Sequence, residues 1–402
     1  MSDAPGILVL NAGSSSLKFA LFGDPPTPGA MPVRRCGGQI DGIGTSAARF
    51  QARDAAGQTL AERALGGLDH EAALQHLLGW LLREAAYAEP AVAGHRVVHG
   101  GTRYRQPVRV DAGVLATLRD FIPLAPLHMP HNLAAIETLR KRHPHMRQVA
   151  CFDTAFHHSM PPVERYYALP RVWFDRGIRR YGFHGLSYEY IARALGENPQ
   201  TAGYERVVVA HLGQGASLCA LHRGQSVATT MGFTPLDGVP MATRPGQLDP
   251  GVVTYLVREA GLSVADVDDM LNHHSGLAGL SGGDGDMRAL LADERPEARA
   301  AVDYFVHHVH RAIGSLAAAL GGLDALVFTG GIGEHSAIVR QRICAAAAWL
   351  GIVLDEAANA RGEKRISRPT SAVAVWRIPT DEEAMIACHC RRLLDDSQGG
   401  TS

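Results

Sequence analysis

The sequence predicts an α/β protein made of two similar units, and three observations predict it. Short apolar strands alternate with amphipathic helical stretches along the chain. At 402 residues the chain exceeds what one compact core usually holds and suits two domains. A strand, a turn of small residues and a second strand occur near the start and recur at an offset of 200 residues. Gly13-Ser14-Ser15-Ser16-Leu17-Lys18-Phe19-Ala20-Leu21 aligns without a gap with Gly213-Gln214-Gly215-Ala216-Ser217-Leu218-Cys219-Ala220-Leu221. Each copy follows an apolar strand, Leu8–Leu10 and Val207–Ala210. The doubling suggests two domains of one ancestry facing each other across a central cleft.

Taken in order, Ile7–Leu10 and Leu17–Phe22 are expected strands on either side of the first turn. The Pro-rich stretch Pro25–Pro32 reads as a surface loop. Leu68–Tyr87 has helical periodicity through Leu74, Leu77, Leu78, Leu81 and Leu82. Ala91–Val98 and Gln148–Asp153 are strand-like, and Asp111 reads as the N-cap of a helix running toward Phe121. Ala325–Phe328 is a buried-looking strand ahead of a glycine turn, with a helix expected from about Ser336. Thr380 and Glu383 have capping-box spacing at the start of the last helix. The tail from Ser397 is expected to be disordered.

Composition narrows the function classes. The formal net charge of −1 gives no global field for nucleic acid or an anionic membrane, so any bound anion must be held by local charges. The cysteines stand singly except for Cys388 and Cys390, which is no disulfide framework and suits a reducing compartment. No basic segment precedes an apolar leader, and no apolar run reaches the length of a membrane span, so a cytoplasmic protein is expected. Histidines are numerous, at 20, and His307 and His310 would share a helix face. No Cys or carboxylate completes a tetrahedral set with them, so structural zinc is not expected.

Three loops could hold phosphates. In Asn11-Ala12-Gly13-Ser14-Ser15-Ser16-Leu17-Lys18, small side chains let backbone N–H groups converge on an anion, hydroxyls add donors and the lysine adds a point charge. His211-Leu212-Gly213-Gln214-Gly215 is a second such turn, and Thr329-Gly330-Gly331-Ile332-Gly333-Glu334 a third, between a strand and a helix. Each alone is also what an ordinary hairpin or strand-to-helix turn looks like, and none matches the P-loop or dinucleotide patterns.

Longer motifs carry a resemblance. They are Asn11–Lys18, His95-Arg96-Val97-Val98-His99-Gly100-Gly101, Pro123-Leu124-Ala125-Pro126-Leu127-His128 and Phe152-Asp153-Thr154-Ala155-Phe156-His157. Further along come Tyr181-Gly182-Phe183-His184-Gly185, Gly232-Phe233-Thr234-Pro235-Leu236, Asp286-Met287-Arg288, Gly330–Glu334 and Ile378-Pro379-Thr380-Asp381-Glu382-Glu383. In this order, over nearly the whole chain, they resemble the acetate kinase family, within the superfamily of sugar kinases, Hsp70 and actin.

The resemblance implies two ribonuclease-H-like domains of the actin, Hsp70 and sugar kinase type. The first would span 1–150 with 385–402 and the second, nucleotide-binding one 151–384. It implies transfer between ATP and a short carboxylate, acetate first, with Mg2+ as cofactor, Mn2+ able to substitute, and a homodimer. Asn11 and Glu382 would lie at the metal, and Lys18, Ser14 and Ser16 at the phosphates. His211, Leu212, Gly213, Gln214, Gly215, Asp286, Met287, Arg288, Gly331, Ile332, Gly333, Glu334 and His335 would line the nucleotide site. Arg96 would hold the substrate carboxylate, and Val98, Leu127, Phe183 and Pro235 its methyl group. Asp153 matches the catalytic aspartate, His184 and Arg244 the groups that steady the transferring phosphoryl, and His128 sits near them.

The chemistry explains why such residues are needed. Phosphoryl transfer is positioning plus neutralisation of charge on the moving group. Here the acceptor is also an anion, so one arginine on the carboxylate and one on the phosphoryl oxygens meet the need. A carboxylate is already ionised at pH 7, so Asp153 is read as an organiser of metal and acceptor rather than a base.

The chain departs from the family pattern chiefly on the nucleotide side. Gln214 and His335 stand where Asn is usual, Pro245-Gly246-Gln247 follows Arg244, Met129 follows His128, and Gly282-Gly283-Asp284-Gly285 precedes Asp286. ATP is still expected as donor, with a raised KM. Propionate or butyrate is the nearest rival acceptor, and branched Val98 favours acetate. One methylene in such a pocket is worth only about 1–3 kcal/mol. A kinase-fold regulator would need a DNA-binding extension, and a chaperone ATPase a peptide-binding domain.

Overall fold

The computed structural model describes residues 6–25, 27, 29–85 and 87–395. The tail expected to be disordered from Ser397, and Pro26 and Pro28 of the Pro-rich stretch, lie outside the described residues. The chain divides into two compact units, one running to Ala155 and resuming at Asp381, the other Phe156–Thr380. This division differs from the expected 150/151 and 384/385 boundaries, and the difference moves Asp153 and Glu382 into the first unit. The cause is packing: the strand before Asp153 belongs to the first sheet, and the last helix, Glu382–Asp395, lies on that sheet.

The first unit carries β1 (Ile7–Ala12), β2 (Ser16–Gly23), β3 (Val33–Asp41), β4 (Arg49–Asp54), β5 (Thr59–Ala64), β6 (Val92–Val97), β7 (Val108–Arg109) and β8 (Arg147–Phe152). They form an eight-stranded sheet in the order β5-β4-β3-β2-β1-β6-β8-β7. β1 pairs antiparallel with β2 but parallel with β6, and β6 pairs parallel with β8. Ile7, Leu8, Val9 and Leu10 are all buried, the uninterrupted apolar run of a strand covered on both faces.

The predicted helix appears as His70–Arg83, capped by Asp69, whose carboxylate accepts from Ala72 N. Its Leu74, Leu77, Leu78 and Leu81 join Phe19, Phe50 and Trp80 in the core. Fully burying each such side chain stabilises by about 1.5–3 kcal/mol. Asp111 caps Ala112–Asp120 as expected, accepting from Val114 N at 2.7 Å. On the other face, Gly94 admits the last helix, because a Cβ there would lie 2.5 Å from Ile386 and 2.6 Å from the Cys390 sulfur.

The second unit carries β9 (Arg206–Leu212), β10 (Ala216–His222), β11 (Gln225–Thr229), β12 (Ala325–Thr329) and β13 (Ala374–Arg377), ordered β11-β10-β9-β12-β13. Its pairing repeats that of β3-β2-β1-β6-β8: two antiparallel steps on one side of the central strand and two parallel steps on the other. The 25-residue helix Pro296–Leu320 packs on β9, β10 and β11. The repeat suspected from sequence is therefore a repeat of topology.

Its ungapped alignment is corrected by one residue. Ala12 pairs with Leu17 and Asn11 with Lys18, whereas Leu212 pairs with Ala216 and His211 with Ser217. The second turn is one residue shorter, so the structural counterpart of Lys18 is Ser217 rather than Leu218. A one-residue slip exchanges the faces of a strand.

Two local expectations change as well. Gly330–Glu334, expected as a turn, lies within a short helical turn, Gly330–His335, while the helix expected from about Ser336 is present as Ala337–Ala346, capped by Ser336. The Thr380/Glu383 capping box does not form. Asp381 accepts from Ala384 N at 2.8 Å, while Glu383 pairs with Arg34 at 2.7 Å. Asp381 supplies the cap because an aspartate one residue nearer the helix competes for the same N–H groups.

Candidate active site

In the first unit the functional side chains collect where the strands end. Arg96 sits near the end of β6, Asp153 just past β8, Asn11 near the end of β1 and Glu382 on the first turn of the last helix. Arg96 grips Asp153 with two parallel bonds, Nε to Oδ1 at 3.0 Å and Nη2 to Oδ2 at 2.5 Å. Its Nη1 donates to Asn11 Oδ1 at 3.2 Å, and Glu382 lies 3.7 Å from Nε. A guanidinium has five N–H donors, so this grip leaves capacity for a further carboxylate.

Asp153 is 1% exposed. Burial pushes its carboxyl up to about 6 and Glu382 adds to the rise, against the pull of Arg96. Burial also raises Glu382 above the ordinary range, with Arg96 and Lys18 opposing. A buried and a half-buried carboxylate served by one arginine form a site that a further cation would relieve. The donor set of Asn11, Asp153 and Glu382 is all oxygen, which fits magnesium.

Sequence reasoning missed residues that hold this arrangement. Asn132, 4% exposed, accepts from Val98 N at 3.0 Å and donates to Ala12 O at 2.8 Å, tying the ends of β6 and β1. Its signal was a polar residue among Met129, Leu133, Ile136 and Leu139 on the buried face of one helix. His70 Nε2 bonds the Gly13 carbonyl at 2.7 Å and stacks on His131, fixing the first glycine turn. Ser14 and Lys18 are exposed and Ser16 half-buried on that turn. The residues assigned to the acyl pocket divide by unit. Buried Val98 and exposed Leu127 belong to the first, as does exposed His128, and buried Phe183 and half-buried Pro235 belong to the second.

In the second unit a cavity of about 690 Å3 is lined by Gly213, Gln214, Asp286, Met287, Arg288, Gly331, Ile332 and His335. That size suits a nucleotide. Three sequence-distant motifs are thus brought together, along with Leu291 and Ile338, apolar residues that no motif flagged. Asp286 is also an N-cap, accepting from Arg288 N at 2.8 Å and Ala289 N at 3.2 Å.

His211, Leu212, Gly215, Gly333 and Glu334 lie outside the cavity lining. Leu212 is wholly buried. Glu334 turns back on its own loop, accepting from Gly330 N at 2.9 Å and from Thr380 N at 3.1 Å. Fully buried Arg340 donates to the Gly333 and Glu334 carbonyls, both at 2.9 Å, and so braces the loop from behind.

His184 and Arg244 converge on Gly215. A Cβ on that glycine would meet Arg244 Nη2 at 2.8 Å and His184 Nε2 at 3.3 Å, so glycine keeps the approach open. Arg244 Nη1 donates to Pro235 O at 2.9 Å. His184 stands at the N-cap position of the helix Gly185–Glu197, without a capping side-chain bond, in a left-handed backbone with φ 58°, a conformation rare outside glycine.

Two strand-end sites on duplicated sheets, one charged and one with a nucleotide-sized cavity, belong to the class of kinases that phosphorylate a carboxyl group. The chain belongs to the acetokinase family, which matches residues 6–388. It is 52% identical over 402 residues to an acetate kinase of Rhodopseudomonas palustris, covering 98% of this chain and 99% of that protein. It is 50% identical over 391 residues to an acetate kinase of Rhizobium meliloti, covering 96% and 98%. Among solved structures, a propionate kinase from Francisella tularensis matches with a TM-score of 0.90 at 36% identity, covering 96% of this chain and 99% of that one. An acetate kinase from Porphyromonas gingivalis matches with a TM-score of 0.87 at 35% identity, covering 97% and 100%.

Proposed function

We propose that the protein is an acetate kinase that transfers the terminal phosphoryl of ATP to acetate, reversibly and directly, giving acetyl phosphate and ADP. The observation that carries the reading is the cluster of Arg96, Asp153, Asn11 and Glu382, in a chain of the acetokinase family. Arg96 holds the acetate carboxylate with its remaining donors, and Val98 faces the methyl group. One acetate oxygen attacks the γ-phosphorus as the bond to the β,γ-bridging oxygen breaks, and ADP leaves as the anion. No proton moves, so Asp153 acts by fixing Arg96. His184 and Arg244 donate to the oxygens of the moving group, and the cavity beside Ile332 takes the adenosine. Asn11 and Glu382 would hold Mg2+, with Asp153 beside them, and the ion would neutralise phosphate charge when bound.

ATP is the proposed donor because the glycine loop and its cavity persist despite Gln214 and His335. We assign the protein to the cytoplasm, since its singly placed cysteines suit a reducing compartment. A homodimer agrees with exposed apolar side chains on the second unit, including Val163 at 74% and Tyr255 at 62%. Propionate is the second reading, favoured by the likeness to the Francisella propionate kinase. Trapping acyl phosphate as hydroxamate with acetate, propionate, butyrate or no acceptor decides among them. Acetate is expected to give the highest kcat/KM, and hydroxamate at the level of a no-enzyme blank with every acid would reject the reading.

A further inference from the structure

We infer that Ser217, backed by Tyr188, is a positioning residue that fixes the ring and the proton of His184. The inference rests on the reading of His184 as a donor to the transferring phosphoryl. Ser217 is fully buried on β10, paired with His211, at the place Lys18 holds in the first unit. Its Oγ lies 2.8 Å from His184 Nδ1 and 2.5 Å from the Tyr188 hydroxyl. His184 stacks on His211 with ring centroids 4.3 Å apart and 22° between planes, and His211 Nδ1 is in turn 2.8 Å from Ser187 Oγ. Both imidazoles are thus anchored at Nδ1 by a serine hydroxyl.

The chemistry of that anchor sets the proton. A serine hydroxyl has one proton to donate and two lone pairs to accept with. When Tyr188 donates to Ser217, the serine proton points at His184 Nδ1, and the neutral imidazole must carry its own proton on Nε2. That nitrogen is the one near Gly215, on the side Arg244 Nη2 also reaches. The neutral ring therefore presents an N–H donor beside the arginine. If His184 gains a second proton, the two hydroxyls turn over, Ser217 accepting from Nδ1–H and donating to Tyr188, and the ring need not move. The same hydroxyl pair thus serves both charge states, which an apolar neighbour could not do.

The test is a double-mutant cycle read together with the tautomer. S217A is expected to lower kcat about ten- to hundredfold, the scale of a misplaced catalytic group. The KM values for acetate and ATP should change little. In an H184A background S217A should cost nothing more, because the group it positions is gone. Nitrogen-15 NMR of the wild-type protein should report the Nε2–H tautomer for His184, and Y188F should shift it toward a mixture. Wild-type kcat in S217A, a loss that adds in full to that of H184A, or an Nδ1–H tautomer in the wild type would each overturn the inference. The last holds even if S217A does not fold. Wild-type kcat in H184A would reject the underlying reading of His184 instead, while the tautomer still decides whether Ser217 places the proton.

Discussion

The two hairpins that begin the two sheets occupy the same place in the same topology, yet they gather different chemical groups. In the first, Asn11 faces Lys18, and the strand ends around them carry Arg96, Asp153 and Glu382. In the second, His211 faces Ser217, and the groups nearby are imidazoles, hydroxyls, backbone and one arginine. One residue removed from the turn puts a serine where the lysine stood. The difference teaches that one frame used twice can gather fixed charge at the strand ends of one copy, and imidazoles and hydroxyls around a glycine turn in the other. The cavity beside the second turn adds shape, with Asp286 and Arg288 in its lining.

Four measurements would break or sharpen that contrast. The largest effect is expected from removing a charge on the first side. D153A leaves Arg96 beside Glu382 without its bidentate partner, and breaking such a buried pair costs about 3–5 kcal/mol. Chemical denaturation should report that loss, and kcat should separately fall about a hundredfold, the scale of a misplaced catalytic group. A near-wild-type variant would mean that charge does not organise this side.

R96A should cost about 2–5 kcal/mol in kcat/KM for acetate, with the KM for ATP nearly unchanged. Equal changes for both substrates would erase the distinction between the sites.

Acid should weaken the second unit more than the first. Burial lowers His157 from 6.5 to about 4, where it is held by Ser226 and the Phe183 carbonyl. The unfolded chain therefore binds the extra proton between those values, and stability falls as pH falls from 6.5 to 4, by about 3 kcal/mol for this group. His95 in the first unit is lowered in the same way, to about 4. There Asp153, raised from 3.8 to about 6, works the other way, since the folded state binds its proton more tightly and gains as pH falls through that window. H157Q should flatten the dependence of Tm on pH, and fragment-resolved hydrogen exchange in acid should open the second unit first. A parallel Tm profile in H157Q would remove the asymmetry.

The smallest effect belongs to the nucleotide loop. H335N restores the usual amide at the rim of the cavity, and the KM for ATP should fall a few-fold, about 1 kcal/mol or less. An unchanged KM would place His335 outside the nucleotide contacts.

Much of this was readable in the chain. Strand and helix periods located β1, β6, β8, β12 and the helix His70–Arg83, because burial on a regular backbone repeats at fixed intervals. Asp111 announced its helix, since a cap acts within a few residues. The glycine loops, Arg96, Asp153 and Glu382 were picked out as motifs, and the structure brings the last three to one place.

What sequence left open was decided by competition among groups far apart in the chain. Glu334 bonds Gly330 and Thr380 rather than lining the cavity, and Glu383 turned from its helix end to Arg34. Asn132 became the link between two strand ends, and Ser217 acquired the position of Lys18 only through the register of a shorter turn. The sequence by itself determined the residue types, the elements and the family. The tertiary structure decided which acceptor each donor found, because a buried polar group must take the partner that packing places beside it, and that partner need not be near in sequence.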